Sequence, residues 1–251
     1  MISTTKCDDV LTITINRPEK KNALTPSMYK DMAEAINNAC DSGMRVVVIQ
    51  GVEGIFTSGN DVSAFVVGDE DLANSTTYAF MQALLSCELP VVAKVEGMAV
   101  GIGTTMLLHC DFVFAHENTR FAMPFINLGL VPEYASSYLI PRFSGYLNAA
   151  KLLMLGEFFD VKTAKACEII SQSCTDDLQS TVDEIVGKLI CKPRSALIET
   201  KRLLKGDMSS IKAHIDDELK VFALAMQRPA AQEAFSAFLE KRPINQSIFK
   251  E

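Results

Sequence analysis

The sequence has no block of basic residues and little excess of positive charge anywhere along its 251 positions. Its 24 lysines and arginines are outnumbered by 31 aspartates and glutamates, which gives a net charge of −7. Without a positively charged surface, non-specific binding of nucleic acid is not expected. A small anionic ligand is compatible with this charge, because a few local cations and backbone N–H groups are enough to bind it.

Paired cysteines and long apolar runs are also missing. The seven cysteines are scattered, and none has C-x-x-C spacing, which argues against a disulfide framework and is typical of reduced intracellular proteins. No apolar run is long enough to span a membrane. The start, MISTTKCDDV, lacks the layout of a signal peptide, and the end, QSIFKE, is not a peroxisomal address. We therefore expect a soluble, intracellular protein.

The common catalytic and nucleotide-binding motifs fail as well. The histidines His109, His116 and His214 have no zinc-site spacing and do not support a histidine-based triad, so no metal is expected. Gly101-Ile102-Gly103 supplies G-x-G, but Met106 occupies the place of the third glycine of a dinucleotide site. The P-loop and the G-x-S-x-G elbow are absent. If the protein is an enzyme, its chemistry would depend on carboxylates and backbone N–H groups.

The sequence does contain a regular alternation of strand and helix patterns, in a chain of ordinary globular composition with 48% hydrophobic residues. Thr25-Pro26 begins a helix that Gly43 ends, and another helical stretch lies near 75–88. Four alternating or β-branched runs predict strands: 10–16, 46–51, 91–97 and 111–115. This order requires a parallel sheet with right-handed crossovers.

The character of the sequence changes after about residue 143, and 146–251 is predicted to be mostly helical. We divide the chain into a core at 1–195 and a C-terminal helical region at 196–251 within the same functional unit. One helical face in this region needs a partner surface, in its own subunit or in a neighbour's. Its residues are Ile211, Ile215, Leu219, Phe222 and Met226.

Two glycine-bearing turns and one isolated acid are the candidate functional features. The turns, 54–62 and 96–106, follow buried strands and should reach the same edge of the sheet, where ligands gather. Glu133 lies in LGLVPEYASS with no basic residue within eight positions on either side. A solvated loop charge is the common explanation for such a residue. The alternative is a carboxylate in a dry pocket, where desolvation raises its pKa.

Several ordered segments resemble the crotonase (enoyl-CoA hydratase/isomerase) superfamily over nearly the whole chain. They are INRPEKKNAL (15–24), FTSGNDVSAF (56–65), VVAKVEGMAVGIG (91–103), the stretch 110–145, and AKLLMLGEFFDVKTA (150–164). The pattern around Glu133 is most similar to that of the peroxisomal-type enoyl-CoA delta isomerases. The resemblance implies an α/β fold with a ββα spiral core and a C-terminal helical trimerisation region. It also implies a homotrimer or a dimer of trimers, in a peroxisome or a mitochondrion.

The resemblance assigns roles to particular residues. The backbone N–H groups of Asn60 and Ile102 would form an oxyanion hole for a thioester oxygen. Lys241, with Arg242, would offer cations to the coenzyme A phosphates. Coenzyme A would be part of an acyl-CoA substrate, so no separate cofactor is expected. The remaining substrate-binding residues would be Ala23, Ser58, Gly59, Asn60, Asp61 and Val62.

Hydratases of this superfamily use two glutamates, and the corresponding positions here hold Thr105 and, in Met123-Pro124-Phe125, Phe125. Glu133 remains, at the position where the isomerases keep their base. It would take a proton from C2 of a 3-enoyl-CoA and return it to C4, in the oxidation of unsaturated fatty acids. Two alternatives stay open: an inactive acyl-CoA-binding or scaffold module, and an enoyl-CoA hydratase. Acyl chain length would depend on how helices near 66–90 pack.

Overall fold

A computed structural model describes residues 1–52, 54–63 and 75–250 of the chain. Within these ranges, a six-stranded sheet has the order β1-β2-β3-β4-β6-β8, and β5 pairs with β7 in a separate two-stranded sheet. Only the β1–β2 pair is antiparallel. The strands are β1 (Ile2–Cys7), β2 (Val10–Ile15), β3 (Val46–Gly51), β4 (Val91–Val95), β5 (Met98–Val100), β6 (Phe112–His116), β7 (Arg120–Ala122) and β8 (Gln172–Cys174).

The helices surround the sheet and fill the second half of the chain. Short 3₁₀ turns occur at Pro18–Lys20, Met106–His109 and Phe125–Leu128. The α-helices in the described ranges are α1 (Pro26–Asp41), α2 (Thr76–Ser86), α3 (Ile102–Thr105), α4 (Ser136–Ser144), α5 (Tyr146–Leu155), α6 (Val161–Ala166), α7 (Leu178–Ile190), α8 (Arg194–Lys205), α9 (Ser209–Met226), α10 (Pro229–Glu240) and α11 (Gln246–Phe249).

The elements with strong local signals form where the sequence predicts them. Pro26 opens α1 after Thr25, whose Oγ1 accepts a hydrogen bond of 3.4 Å from the Met28 N–H. The three apolar, β-branched runs become β3, β4 and β6, which lie next to one another in the parallel part of the sheet. The predicted helix near 75–88 is α2. The α/β fold class is confirmed.

The sequence analysis missed four strands. β1 is an edge strand whose residues are mostly exposed, so it lacks the apolar face by which strands are recognised. It is joined to β2 by Asp8 and Asp9, both with positive φ, and aspartate tolerates this conformation better than most residues. β5, β7 and β8 have three residues each, which is too short for a period-two pattern.

The C-terminal region is helical as predicted, apart from β8. Ile215, Leu219 and Phe222 are buried in the same core cluster as the sheet residues, so the chain itself covers much of the predicted apolar face. Ile211 and Met226 are half-buried against that cluster. Other apolar side chains of the region remain exposed, and the homotrimer stays a prediction. No helix in the described ranges is long and apolar enough to cross a membrane.

The two glycine-bearing turns pack against each other so closely that a side chain would not fit between them. Gly97 follows β4 with a φ of +69°, and an added Cβ would lie 1.7 Å from the carbonyl oxygen of Gly54. This neighbour is backbone, so it cannot rotate away. A Cβ added to Gly187, inside α7, would have no packing neighbour within 4 Å.

Replacing Gly97 by alanine should therefore lower the free energy of unfolding by about 3 kcal/mol or more, the upper range for single substitutions. The matched control, Gly187→Ala, should raise it by about 0.5–1 kcal/mol, because glycine is unfavourable inside a helix. Urea denaturation of both variants measures the difference. A Gly97→Ala protein as stable as the wild type would contradict the close packing of the turns.

Candidate active site

The turns that follow β3 and β4 lie side by side at the carboxyl ends of these strands. The Thr57 N–H donates to the Met98 carbonyl at 3.0 Å, and the Val100 N–H donates to the Thr57 carbonyl at 3.1 Å. Gly59 has a φ of +89°, and its position beside the Val100 carbonyl leaves no room for a Cβ. The prediction that both turns reach the same edge of the sheet is confirmed.

Each turn exposes one backbone N–H at the predicted position. The Leu24 N–H donates to the Gly59 carbonyl at 2.8 Å, and the Leu24 carbonyl accepts from the Asp61 N–H at 2.9 Å. Because Leu24 pairs with the residues on either side of Asn60, the Asn60 N–H points away from Leu24. Ile102 is the first residue of α3, where an N–H has no acceptor within the helix. Among the described residues, neither N–H donates a hydrogen bond. Both are free to bind an oxygen.

A cleft of about 870 Å³ opens beside these two groups. It brings together every residue that the resemblance assigned to substrate contacts except Arg242. Arg242 instead forms ion pairs with Glu233, at 2.5 Å, and Glu240, at 2.6 Å. Two carboxylates thus already pair with its guanidinium within the chain, and a role for Arg242 at the phosphates stays a prediction. The predicted residues that do line the cleft are Ala23, Ser58, Gly59, Asn60, Asp61, Val62, Ile102 and Lys241.

Three further cations, which the sequence analysis missed, line the same cleft. Arg17 is committed to Asp61, with 2.7 Å between Nη1 and Oδ2. Lys20 and Lys21 are exposed and form no ion pair among the described residues. Their signal was present in the K-K pair of INRPEKKNAL, but sequence alone does not show which way a surface lysine faces. With Lys241 they give the cleft lining four cations against two acids, Glu19 and Asp61.

Glu133 is buried, with only 2% of its surface exposed, so it is not a solvated loop charge. Its Oε1 accepts a short hydrogen bond from the Thr105 hydroxyl, and its Oε2 is buried without a partner among the described residues. Burial raises the pKa of Glu133 to about 8; the hydrogen bond from Thr105 opposes this shift, and the charge of Glu218 adds to it. Glu133 is therefore a carboxyl group that can hold or release a proton near neutral pH.

The position of Glu133 relative to the cleft follows from α3. Thr105 lies one helical turn after Ile102, so the same four-residue helix presents the N–H of Ile102 and holds the carboxyl group of Glu133. Glu133 itself is not among the residues that line the cleft, which include Ile102 and, three positions before Glu133, Leu130. Residues 66–74 of the segment expected to set the acyl chain length lie outside the described residues.

The turn after Glu133 has an unfavourable backbone conformation that other contacts hold in place. Tyr134 and Ala135 have φ values of 58° and 57°, a left-handed conformation that costs roughly 1–2 kcal/mol per non-glycine residue. The Tyr134 hydroxyl donates to the Met81 carbonyl at 2.8 Å. His109 lies 2.9 Å from the Tyr134 carbonyl and stacks on its ring. Such strain persists where the surroundings fix it, often at functional sites.

His109 is a buried part of this support. Burial lowers the pKa of His109 to about 3, so the ring is neutral. Within the described part of the chain, no group of three or more histidine, cysteine, aspartate or glutamate side chains could hold a metal ion.

Two other residues position the turns and were not found from the sequence. The Tyr29 hydroxyl, on α1, donates to Asn60 Oδ1 at 2.5 Å. The side-chain amide of buried Asn22 donates to the backbone carbonyls of Ile55 and Phe56, and the backbone carbonyl of Asn22 accepts from Thr57 Oγ1 at 2.7 Å. Both contacts join residues more than 30 positions apart, which no local pattern reveals.

The two positions where hydratases carry glutamates do not supply acids here. Thr105 is buried and holds Glu133, and Phe125 is buried at the cleft wall. The arrangement thus contains one desolvated carboxyl group beside two free N–H groups. It can stabilise a developing oxyanion and move a proton close to it.

Comparison with known proteins gives consistent results over the whole chain. The family model described as enoyl-CoA hydratase/isomerase matches residues 5–247. Enoyl-CoA delta isomerase 2 of Rattus norvegicus is 30% identical over 239 residues, which are 92% of this chain and 61% of that protein. The chain therefore spans less than two thirds of that relative. The 2,3-dehydroadipyl-CoA hydratase of Escherichia coli is also 30% identical, over 93% of each chain.

A solved structure agrees closely with the fold. The structure of Pseudomonas aeruginosa OdaA matches with a TM-score of 0.92 and 41% sequence identity, covering 95% of this chain and 98% of that one.

The buried state of Glu133 makes stability depend on pH in a defined direction. Because its folded pKa of about 8 lies above the ordinary value, the folded state favours the protonated form, and this advantage is lost as pH rises through 8. Glu133→Gln cannot ionise at this position. The free energy of unfolding of the variant minus that of the wild type should therefore be larger near pH 9 than near pH 5, by a few kcal/mol. Denaturation at both pH values measures this. An equal difference at both would show that Glu133 is not desolvated.

Proposed function

Because the chain belongs to the enoyl-CoA hydratase/isomerase family, we propose that it is an enoyl-CoA delta isomerase that converts a 3-enoyl-CoA into a trans-2-enoyl-CoA. The observation that carries this proposal is the buried carboxyl group of Glu133, one oxygen of which has no partner among the described residues while the other is held by Thr105 of α3. The replacement of both hydratase acids by Thr105 and Phe125 supports isomerisation over hydration.

In the proposed mechanism, the thioester oxygen accepts hydrogen bonds from the N–H groups of Asn60 and Ile102. Glu133 Oε2 takes a proton from C2, and the electrons of the C–H bond form an enolate whose charge the two N–H groups stabilise. The same carboxylic acid then gives its proton to C4. The double bond moves from C3–C4 to C2–C3 and becomes conjugated with the thioester.

Thr105 gives this acid its orientation. Its hydroxyl donates a hydrogen bond to Oε1 of Glu133, so Oε2 is the oxygen that remains for the substrate. Burial raises the pKa of the acid to about 8, which strengthens it as a base towards a weakly acidic C–H group. The dry surroundings also keep competing water away from the enolate.

The opening of the cleft suits an acyl-CoA substrate. Lys20, Lys21 and Lys241 place three positive charges there, where the phosphates of coenzyme A would lie. The segment Ser58–Val62 and Ala23 would contact the thiol arm. The homotrimer and a peroxisomal or mitochondrial location remain predictions of the resemblance.

Glu133→Gln should lower kcat by about 10²–10⁴-fold while leaving the fold and coenzyme A binding intact, because the amide is nearly isosteric but cannot accept the proton. In the wild type, kcat/KM should fall as pH decreases through about 8, where Glu133 becomes protonated. Steady-state assays with 3-enoyl-CoA measure both effects. Glu117→Gln, at an exposed turn after β6, is the control and should retain wild-type turnover. Near-normal turnover of Glu133→Gln would show that another group is the base.

The same assays separate the enzyme from an inactive acyl-CoA-binding module. Such a module would bind coenzyme A tightly and convert no 3-enoyl-CoA at any chain length.

The absence of the two hydratase acids also predicts that the protein hydrates 2-enoyl-CoA poorly. Hydration requires a water molecule to be activated at C3, and neither a threonine hydroxyl nor a phenyl ring can do this at neutral pH. Isomerase activity should therefore exceed hydratase activity by at least about 10²-fold, the lower end of one acid–base contribution. Separate assays with 2-enoyl-CoA and 3-enoyl-CoA measure the ratio. Comparable rates would assign the protein to the hydratases.

A further inference from the structure

The helix that follows Glu133 lacks a cap of its own. Its N-cap residue is Ala135, whose side chain cannot accept a hydrogen bond from the free N–H groups at the start of α4. Glu218, which lies 83 positions later on α9, supplies the acceptor. Its Oε2 accepts from the Ala135 N–H at 2.5 Å, and its Oε1 accepts from the Ser137 N–H at 3.0 Å and from the Ser137 hydroxyl.

Burial raises the pKa of Glu218, and its contacts oppose that effect by favouring the ionised form. All three partners are donors, so both carboxylate oxygens act only as acceptors, which suits the ionised form. The start of a helix favours a negative charge. The side chain is nevertheless 9% exposed, and this burial is unusual for a glutamate without a lysine or arginine partner. Among the described residues, Glu218 forms no ion pair with a lysine or arginine.

The capped residues and Glu133 belong to one hydrogen-bonded turn. The Glu133 carbonyl accepts from the Ser136 N–H at 3.1 Å and from the Ser136 hydroxyl at 2.7 Å. Ala135 is one of the two left-handed residues between Glu133 and α4. A change in the contact at Ala135 would therefore move the backbone of Glu133, only two residues away.

We propose that Glu218 is a positioning residue for the reaction: it holds the left-handed turn that carries Glu133, and its negative charge acts on the carboxyl group of Glu133. This inference rests on the proposed role of Glu133 as the base. The charge of Glu218 disfavours the ionised form of Glu133 and so raises its pKa, in addition to the larger effect of burial. Among the described residues, Tyr29 and Tyr134 interact electrostatically with Glu133, and His214 does so with Glu218. The neutral ring of His109 stacks on Tyr134.

The decisive variant is Glu218→Gln, which removes the charge and leaves one good acceptor. Asp217→Asn is the matched control: it removes the same charge at the neighbouring position of α9, where Asp217 is exposed and paired with Lys220 at 2.9 Å. Carbon-13 NMR of protein labelled at the glutamate side-chain carboxyl carbon, with the Glu133 signal assigned through Glu133→Gln, follows the titration directly. The midpoint near pH 8 should move to lower pH in Glu218→Gln and stay in place in Asp217→Asn.

Kinetics separate positioning from charge. Glu218→Asp keeps the charge but shortens the reach, so the acid limb of the kcat/KM profile should stay near the wild-type position while kcat falls. Misplacement of a catalytic group by about 1 Å lowers the rate by up to about 10²-fold, and we expect kcat losses of about 10-fold to 10²-fold in both Glu218 variants with little change in KM. In Glu218→Gln the acid limb should also move to lower pH.

If Glu218→Gln changes neither the titration midpoint of Glu133 nor kcat, the inference is overturned. If Glu218→Gln does not fold, as judged by circular dichroism, Glu218→Asp decides: wild-type kcat in that variant would overturn the positioning role. Failure of the proposed function looks different. The wild type would then convert no 3-enoyl-CoA, whereas the NMR titration would still establish or refute the coupling between the two carboxyl groups.

Discussion

The pairing of Thr57 with the backbone of β5 is the contact on which the rest of the site depends. Its N–H and carbonyl join the turn after β3 to β5, while its hydroxyl donates to the Asn22 carbonyl and accepts from the Gly59 N–H at 3.0 Å. One buried residue thus uses all of its polar groups to connect three segments that are distant in sequence. The N–H groups of Asn60 and Ile102 face one cleft because these segments cannot shift independently, and glycines remove the side chains that would separate them.

The second constraint is the burial of one carboxyl group. An acid removed from water is stable mainly in its neutral form, and Thr105 provides one hydrogen bond and no positive charge. The protein therefore holds a carboxyl group whose ionised form is disfavoured and whose pKa of about 8 lies close to neutral pH. The unfavourable conformation of Tyr134 and Ala135 belongs to the same arrangement, since it orients the acid and needs support from α2, α3 and α9.

Sequence reasoning succeeded where the signal is local or carried by a motif. Thr25-Pro26 marks the start of α1, the β-branched runs mark the central strands, and the isolation of Glu133 among apolar residues marks an unusual acid. It failed where the partner is remote. Tyr29 is 31 positions from Asn60, and Glu218 is 83 positions from Ala135, so neither pair has a spacing that could be recognised.

The cap that Glu218 provides also determines when, during synthesis of the chain, the turn after Glu133 can be completed. A ribosome releases Ala135 and the start of α4 well before it releases Glu218, 83 residues later. During that interval the free N–H groups of α4 can be satisfied only by water, and the left-handed turn beside Glu133 lacks one of its supports. The carboxyl group can therefore be fixed in its working orientation only after α9 has been made and has docked. If Glu133 is the base, the chain cannot be fully active before α9 has been synthesised.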